Sequence, residues 1–456
     1  MRRVVKVSRI RIIITIIVVV LTTLLTGCTG KEPNEIAYVV ALGIDSTDDD
    51  NYKITIQYAN TTQISGGASE SGGKAGSEIV DNVTIEAPNI YAGVGLANNI
   101  VSKSFSMSHA KLIVFSKEVA EKGVKDMIET LVRSEEIRPD VFIAVANTTA
   151  NDYLTSVNPE MEVNPAQYYQ LIYQKNQLVG IPDGQLREFF TGLYTDNYDS
   201  ILPIAGVIEG SGGNSQNDDK GQSKDSQNEG SEGSSESLDS FESESSNEKD
   251  ENEKEKDAEK NTSKYEYDIK NYVGGETAIE KKNKAEAIGA AVFEKDKMVG
   301  ELGEVETEIC KMLKGDYTYS YLTYYNNDTP DIPITVKTTQ QKKPKYKIDT
   351  DKKTVDIELY IESDLYSLPA DYNVENKIED FERDVANYTS SACTEFINNF
   401  TKKYNSDILK LNEKVKYKFL TNNQYNWFKK NVGWSEYKFS VCTNFKVRRT
   451  GLIVRE

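Results

Sequence analysis

Between residues 36 and 44 the chain is almost continuously apolar, and beyond a turn at residues 45–51 Tyr52, Ile54, Ile56 and Tyr58 alternate with Lys53, Thr55 and Gln57. A period of two marks a strand buried on one side, so the pattern predicts a β-hairpin in an antiparallel sheet with one solvated face. A further strand is predicted near residues 80–86, then a helix over 89–102 whose Ile90, Val94, Ala97 and Val101 share one face. Residues 110–115 read as a strand, 117–134 as an amphipathic helix carrying Val119, Val124, Met127 and Leu131, and 141–146 as a buried strand. Thr148 or Thr149 is placed to cap a short helix holding Tyr153 and Leu154, since a hydroxyl there accepts a free amide of the first turn. Helical stretches near 166–176 and 184–194 follow.

Past residue 264 the same reasoning predicts a hairpin over 285–299 that turns at 294–297, and a short helix over 305–313. Val355, Ile357, Leu359 and Ile361 then define an alternating strand. The clearest periodicity comes next: Ile378, Phe381, Val385, Tyr388, Ala392, Phe396 and Phe400 recur at steps of three and four. They predict one helix about 40 Å long at 1.5 Å per residue. Its apolar stripe needs a sheet, and residues 415–420 with a final strand are the candidates. In that final strand Tyr437, Phe439, Val441, Phe445 and Val447 share the core face, while Lys438, Ser440, Cys442, Lys446 and Arg448 point away. Hairpins mixed with strand-helix-strand units predict an α+β, multi-domain fold, with mixed or antiparallel sheets packed against helices and one long C-terminal amphipathic helix.

The N-terminus changes the picture. Arg2, Arg3, Lys6, Arg9 and Arg11 precede an apolar run over residues 12–25, which closes on Leu25-Thr26-Gly27-Cys28. A charged segment, an apolar segment and small residues at a cut site make an export signal, and a Cys directly after the cut offers a thiol for lipid transfer. The run is shorter than the roughly 20 residues that span hydrocarbon, so a lipoprotein signal is favoured over a membrane-crossing helix. Residues 1–27 are read as signal peptide, with Cys28 as the lipidated first residue of a chain held on the extracytoplasmic face of a membrane; two acyl chains suffice for durable anchoring.

Charge divides the remainder. The chain carries a formal net charge of −18, and residues 211–260 hold sixteen Asp or Glu against six Lys or Arg, so more than half of the excess sits in one segment. That segment offers only Leu238 and Phe241 as large apolar side chains. It cannot bury enough surface to offset its ordering entropy, so residues 209–264 are read as a disordered acidic linker between an N-terminal α+β domain, 28–208, and a C-terminal α+β region, 265–456. The latter divides into a small middle domain to about residue 340 and a helix-on-sheet domain.

Chemistry is sparse. Cys310, Cys393 and Cys442 show no paired spacing for a disulfide framework or metal ribbon, and Cys393 falls near the apolar stripe of the long helix. His109 is the one histidine, placed before a strand where a structural hydrogen bond is its expected role, and no Gly-x-Ser-x-Gly elbow accompanies it. Gly93 and Gly95 lack the third glycine of a dinucleotide fingerprint. Outside the signal no run of Lys or Arg is large enough to grip nucleic acid. The residues therefore indicate no catalytic, cofactor or metal site, and point to a binding or assembly subunit rather than an enzyme.

Several patches resemble one family. Glu35-Ile36-Ala37-Tyr38-Val39-Val40-Ala41-Leu42-Gly43-Ile44-Asp45 with Tyr52-Lys53-Ile54-Thr55-Ile56-Gln57 is similar to the opening of the Ger(x)C proteins, the lipoprotein C subunits of spore nutrient-germinant receptors. The resemblance continues in Ser108-His109-Ala110-Lys111-Leu112-Ile113-Val114-Phe115, in Glu118-Val119-Ala120, and in Arg133 with Ile137-Arg138-Pro139. Farther on it includes Gly289-Ala290-Ala291-Val292-Phe293, Asp296-Lys297-Met298-Val299-Gly300, Ser406-Asp407-Ile408 and Trp434. Thr29-Gly30 stands where the family usually has a Trp after its lipidated Cys. The resemblance implies a non-enzymatic subunit on the outer face of the spore inner membrane, joined to integral membrane subunits of A and B type, with the nutrient binding a membrane subunit and direct binding here left open. Exposed loops, among them the Asp45 turn, are the expected partner contacts. A solute-binding lipoprotein of an import system is the alternative; it requires two similar lobes of alternating strand and helix, which the antiparallel patterns and single long helix do not favour.

Overall fold

The computed structural model describes residues 13–18, 35–49, 51–59, 80–158, 162, 164–174, 180–195, 197–208, 271–277, 283–325, 333–367, 377–404 and 406–450. Two mixed sheets with helices form an α+β fold. The first contains β1 (Ile36–Ser46), β2 (Tyr52–Ala59), β3 (Val80–Ala87), β4 (Ser104–Ser106), β5 (Leu112–Ser116), β6 (Phe142–Ala146), β7 (Ile201–Val207), β8 (Ala285–Glu294) and β9 (Lys297–Leu302). Their order is β3-β2-β1-β5-β6-β7-β8-β9, with β4 beside β1. The hairpins at either end are antiparallel, as the alternation predicts.

The centre differs from the sequence expectation, because β1, β5, β6 and β7 run parallel. Helices joining these strands cover both faces, so β5 and β6 are buried throughout, and β1 has no solvated side along most of its length. One face packs on α1 (Ile90–Ala97), α2 (Lys117–Lys122), α3 (Lys125–Val132) and α6 (Leu186–Thr195), the other on α4 (Ala150–Ser156) and α5 (Pro165–Gln174). β7 has no counterpart in the sequence reading.

The helix predicted over 117–134 is two helices. Gly123 takes φ 123°, a region that excludes side chains, and the Val124 amide donates to the Asp296 carbonyl of the β8–β9 turn rather than up the helix. α1 likewise stops at Ala97, where Asn98 turns its side-chain oxygen to the Phe105 amide.

The second sheet holds β10 (Tyr319–Tyr325), β11 (Pro333–Gln340), β12 (Lys345–Asp349), β13 (Thr354–Ser367) and β14 (Lys438–Arg449). Between the sheets in sequence lies α7 (Glu304–Lys314), and before β14 come α8 (Ile378–Lys403), α9 (Leu411–Val415) and α10 (Asn422–Asn431). α8 is the predicted long helix. Its buried stripe is Phe381, Val385, Thr389, Cys393, Phe396, Ile397 and Phe400, so Cys393 is core, while Tyr388 and Ala392 sit at the margin. β14 pairs parallel to β13, which makes this sheet mixed, because the connection between them crosses over through α8.

α8 also seals the free edge of β14. The amides of Phe439, Val441, Thr443 and Val447 donate to Asn398, Thr394, Ser390 and Glu382 respectively, a side-chain stripe at steps of four and then eight. Asn398 returns a hydrogen bond to the Phe439 carbonyl, so its amide group imitates a neighbouring strand. An unpaired edge invites another chain, and this one is covered.

The first sheet takes strands from both sides of residues 209–264. β7 pairs antiparallel with β8, and Ile208 N donates to Lys284 O. Gly206 lies so close to Gly274 that a Cβ on it would stand 2.1 Å from the Gly274 carbonyl carbon. The acidic linker itself lies outside the described residues. Among the described residues no helix is long and apolar enough to cross a membrane.

Candidate functional site

Cys28 lies outside the described residues, and of the predicted signal only 13–18 are described, as helix. Asp45 is placed, and its position differs from that of an exposed contact. It is 5% exposed at the end of β1, and its two carboxylate oxygens accept the Ala150 and Asn151 amides at the start of α4, 2.6 and 3.1 Å away. Burial raises its pKa, partly offset by those amides. Thr149 supplies the second cap, accepting from Asp152 N at 2.9 Å. Asp45 thus fastens α4 to the sheet, with its carboxylate turned inward.

His109 lies at the surface, in hydrogen-bond contact with Ser108 Oγ and edge-on to Tyr38 at 4.7 Å. Cys310 and Cys393 are buried free thiols pushed up to about 12 by burial, and Cys442 is exposed. Among the described residues no group of three or more His, Cys, Asp or Glu is arranged to hold a metal ion.

A buried carboxylate, Asp407, and a half-buried one, Asp199, organise the C-terminal lobe, and neither is predicted as functional from the sequence. Ser406 and Asp407 follow α8. Ser406 Oγ donates to Phe293 O of β8 at 2.9 Å, and Asp407 N donates to Asp199 at 2.8 Å. Asp199 also accepts Lys295 N from the β8–β9 turn at 2.9 Å, so one carboxylate clasps the hairpin and the end of α8 together. The Asp407 carboxylate accepts the amides of Leu411 and Asn412, each at 2.8 Å, which starts α9. Lys410 between them adopts φ 57° and pairs with Glu188 of α6. Burial pushes Asp407 up to about 7; the amides and Lys414 oppose this, while Asp199 adds to it. Glu308 of α7 is likewise raised by burial to about 7, against its bonds to Ser320 and Tyr317.

That cap explains why residues 415–420 are not the predicted strand. Alternation of Val415, Tyr417 and Phe419 with lysines reads as a strand, yet residues 415–420 end α9, pass through a 3-10 turn at Lys416–Lys418 and lead into α10. Helix starts here because Asp407 supplies the acceptor for its free amides. Phe419, Tyr425, Phe428, Trp434 and Tyr437 form a continuous aromatic chain with ring centroids 4.7 to 6.1 Å apart, fixing the lobe to β14. Its outer side is different. Tyr417, Leu420 and Trp427 are 77, 94 and 68% exposed, and Trp427 lies near Lys430 on the face of α10 opposite buried Tyr425. Lys416 and Lys429 both approach the Tyr425 ring, within 5.8 and 5.2 Å.

Comparison with known proteins gives a consistent result. Residues 30–207 match the family model "Spore germination protein N-terminal domain", and residues 288–451 match "Spore germination B3/GerAC like, C-terminal". Spore germination protein KC of Bacillus subtilis is 26% identical over 174 residues, 35% of this chain and 42% of that protein. The putative spore germination protein YfkR of the same organism is 28% identical over 145 residues, 32% of this chain and 37% of that protein. The chain thus spans about two fifths of the length of these curated relatives. Among solved structures, the crystal structure of the GerBC protein aligns over 89% of this chain and 96% of its own, with TM-score 0.47 and 15% identity.

Proposed function

The chain belongs to the GerAC-like family of spore germination proteins, the Ger(x)C family that its sequence resembles, and from that premise we propose that it is the lipid-anchored C subunit of a spore germinant receptor. The observation that carries this reading is the match of two family models in order, one before and one after the acidic segment. In it, Cys28 bears the lipid, the signal ends at residue 27, and the regions 28–208 and 265–456, which share the first sheet across the acidic segment 209–264, work on the outer face of the spore inner membrane. The chain assembles there with integral membrane subunits of A and B type and performs no chemistry itself. Contacts with those subunits fall on exposed loops around the Asp45 turn rather than on the Asp45 carboxylate, which α4 occupies.

The test is purification of the tagged chain from detergent-solubilised spore inner membrane. Multi-span receptor subunits in the eluate support the reading; a permease with its ATPase in their place overturns it. Spores carrying Cys28→Ala are expected to lose the protein from the membrane and to germinate slowly. Germination at the wild-type rate with the protein still in place would make the lipid dispensable.

A further inference from the structure

The lobe of α9, the 3-10 turn and α10 is at odds with the rest of the chain in two respects. The whole carries a formal net charge of −18, yet residues 411–434 hold Lys414, Lys416, Lys418, Lys429 and Lys430 against Glu413 alone. The same stretch presents Tyr417, Leu420 and Trp427 to solvent. Both features lie on one small unit, because the Phe419–Phe428 contact at 4.9 Å folds the 3-10 turn against α10.

The lysines keep their charge available. Lys418 donates to Ile348 O, and Lys429 to Thr195 O and Asn197 Oδ1, all neutral acceptors. Lys416 lies over the Tyr425 ring, and Lys430 is exposed on the outer face of α10. Among the described residues the acidic groups beside them are Glu413, Asp407 near the Tyr425 ring, and Asp349, which is held below its usual range chiefly by the Lys352 amide, with Lys418 adding to it. Glu436, farther along, pairs with Lys353. The result is a positive field around three protruding apolar side chains.

We propose that this lobe, which exposes Tyr417, Leu420 and Trp427 and carries Lys416, Lys418 and Lys430, docks on an anionic phospholipid surface. The inference rests on the reading of the chain as membrane-anchored and adds an orientation to it. A tether at Cys28 fixes distance but not attitude, and an acidic body beside an anionic surface is repelled on every side except a basic one. Aromatic side chains with one polar end favour the headgroup level, where lysines also find phosphate. Leu420 and Trp427 then enter the headgroup boundary while the second sheet stays in water.

The chain carries its own reporter. It has two tryptophans, Trp427 at 68% exposed and Trp434 at 7%. The full-length protein is mixed with phosphatidylcholine vesicles with or without phosphatidylglycerol, each also made with brominated acyl chains that quench indole on contact. Expected is quenching of Trp427 in phosphatidylglycerol vesicles alone, reversed by high salt and absent in Trp427→Phe. Each lysine near an anionic surface contributes about fivefold to partitioning, so K416Q/K430Q is expected to lower the docked fraction ratio on the order of 30-fold. Unchanged urea midpoints for both variants establish that folding is intact.

Equal quenching with and without phosphatidylglycerol, or none in either, overturns the proposal. So does salt-sensitive capture of this face by a receptor subunit when vesicles leave Trp427 unquenched. Failure of the anchoring reading looks different: the chain then fails to float with neutral vesicles, yet docking still shows as salt-sensitive flotation with phosphatidylglycerol.

Discussion

Two regions of this protein are rich in large aromatic side chains and use them in opposite ways. Between α4, α5 and the first sheet, Tyr153, Tyr168, Tyr169 and Tyr173 are buried, and each hydroxyl has a polar partner. Tyr153 and Tyr173 share a bond at 2.9 Å, Tyr169 donates to Gln57, and Tyr168 accepts from Asn283. Gln57 closes the group by donating to Leu154 O at 2.8 Å. In the C-terminal lobe, Tyr417 and Trp427 stand in solvent beside lysines. Burial with polar satisfaction marks the first group as scaffold. Exposure with uncompensated charge marks the second as surface for use.

The sharpest test of the contrast removes a side chain from the buried group. Tyr169→Ala is expected to cost about 3 to 5 kcal/mol in urea unfolding, because it opens a cavity and leaves Gln57 Oε1 without its donor. If it cost no more than a surface change, the buried group would not be scaffold.

Asn398→Ala tests polar satisfaction at the second sheet, where the Phe439 amide and carbonyl would both lose their partner. A loss of about 1 to 3 kcal/mol per buried group is expected. A neutral result would mean that water replaces the seal.

Asp407 distinguishes the foot of the exposed lobe from its tip. Burial raises it from 3.8 to about 7 in the folded chain, so folded protein binds the extra proton between those values. Its contribution is fully present below the lower value and falls as pH rises to the upper, by up to about 1.4 kcal/mol per unit. Asp407→Asn is expected to flatten the profile of urea midpoint against pH in that window, and an unchanged profile would place the titration elsewhere. The smallest effect belongs to the tip: Leu420→Ser is expected to shift stability by less than about 0.5 kcal/mol. A large loss there would turn the exposed face into core and end the comparison.

Local pattern made much of this architecture readable. The β1–β2 and β8–β9 hairpins, the caps at Thr149 and the long α8 follow from periods of two and 3.6 and from hydroxyls at helix starts. Which strands run parallel does not, since β5 and β6 look the same in either direction and only the helices over both faces decide. Gly123 broke a well-formed helical stripe because its conformation answers to Asp296, remote in sequence. The candidate surface was hidden for the same reason. Its lysines are interspersed with apolar and amide residues in the chain, and only the Asp407 cap and the aromatic contacts gather them on one lobe.

The seal on β14 has a consequence for how the chain is made. α8 emerges during synthesis before the strand it covers, since Asn398 precedes Phe439 by 41 residues and Glu382 precedes Val447 by 65. Until β14 arrives, β13 keeps one flank open along Val355, Ile357, Leu359 and Ile361, and the helix keeps its polar stripe unfilled. Nascent chains crowded on one message could pair through that flank. A stop codon between α8 and β14 therefore threatens more than the loss of one strand: it fixes the chain in its most adhesive intermediate, and its product should be found in inclusion bodies rather than as a shortened soluble protein.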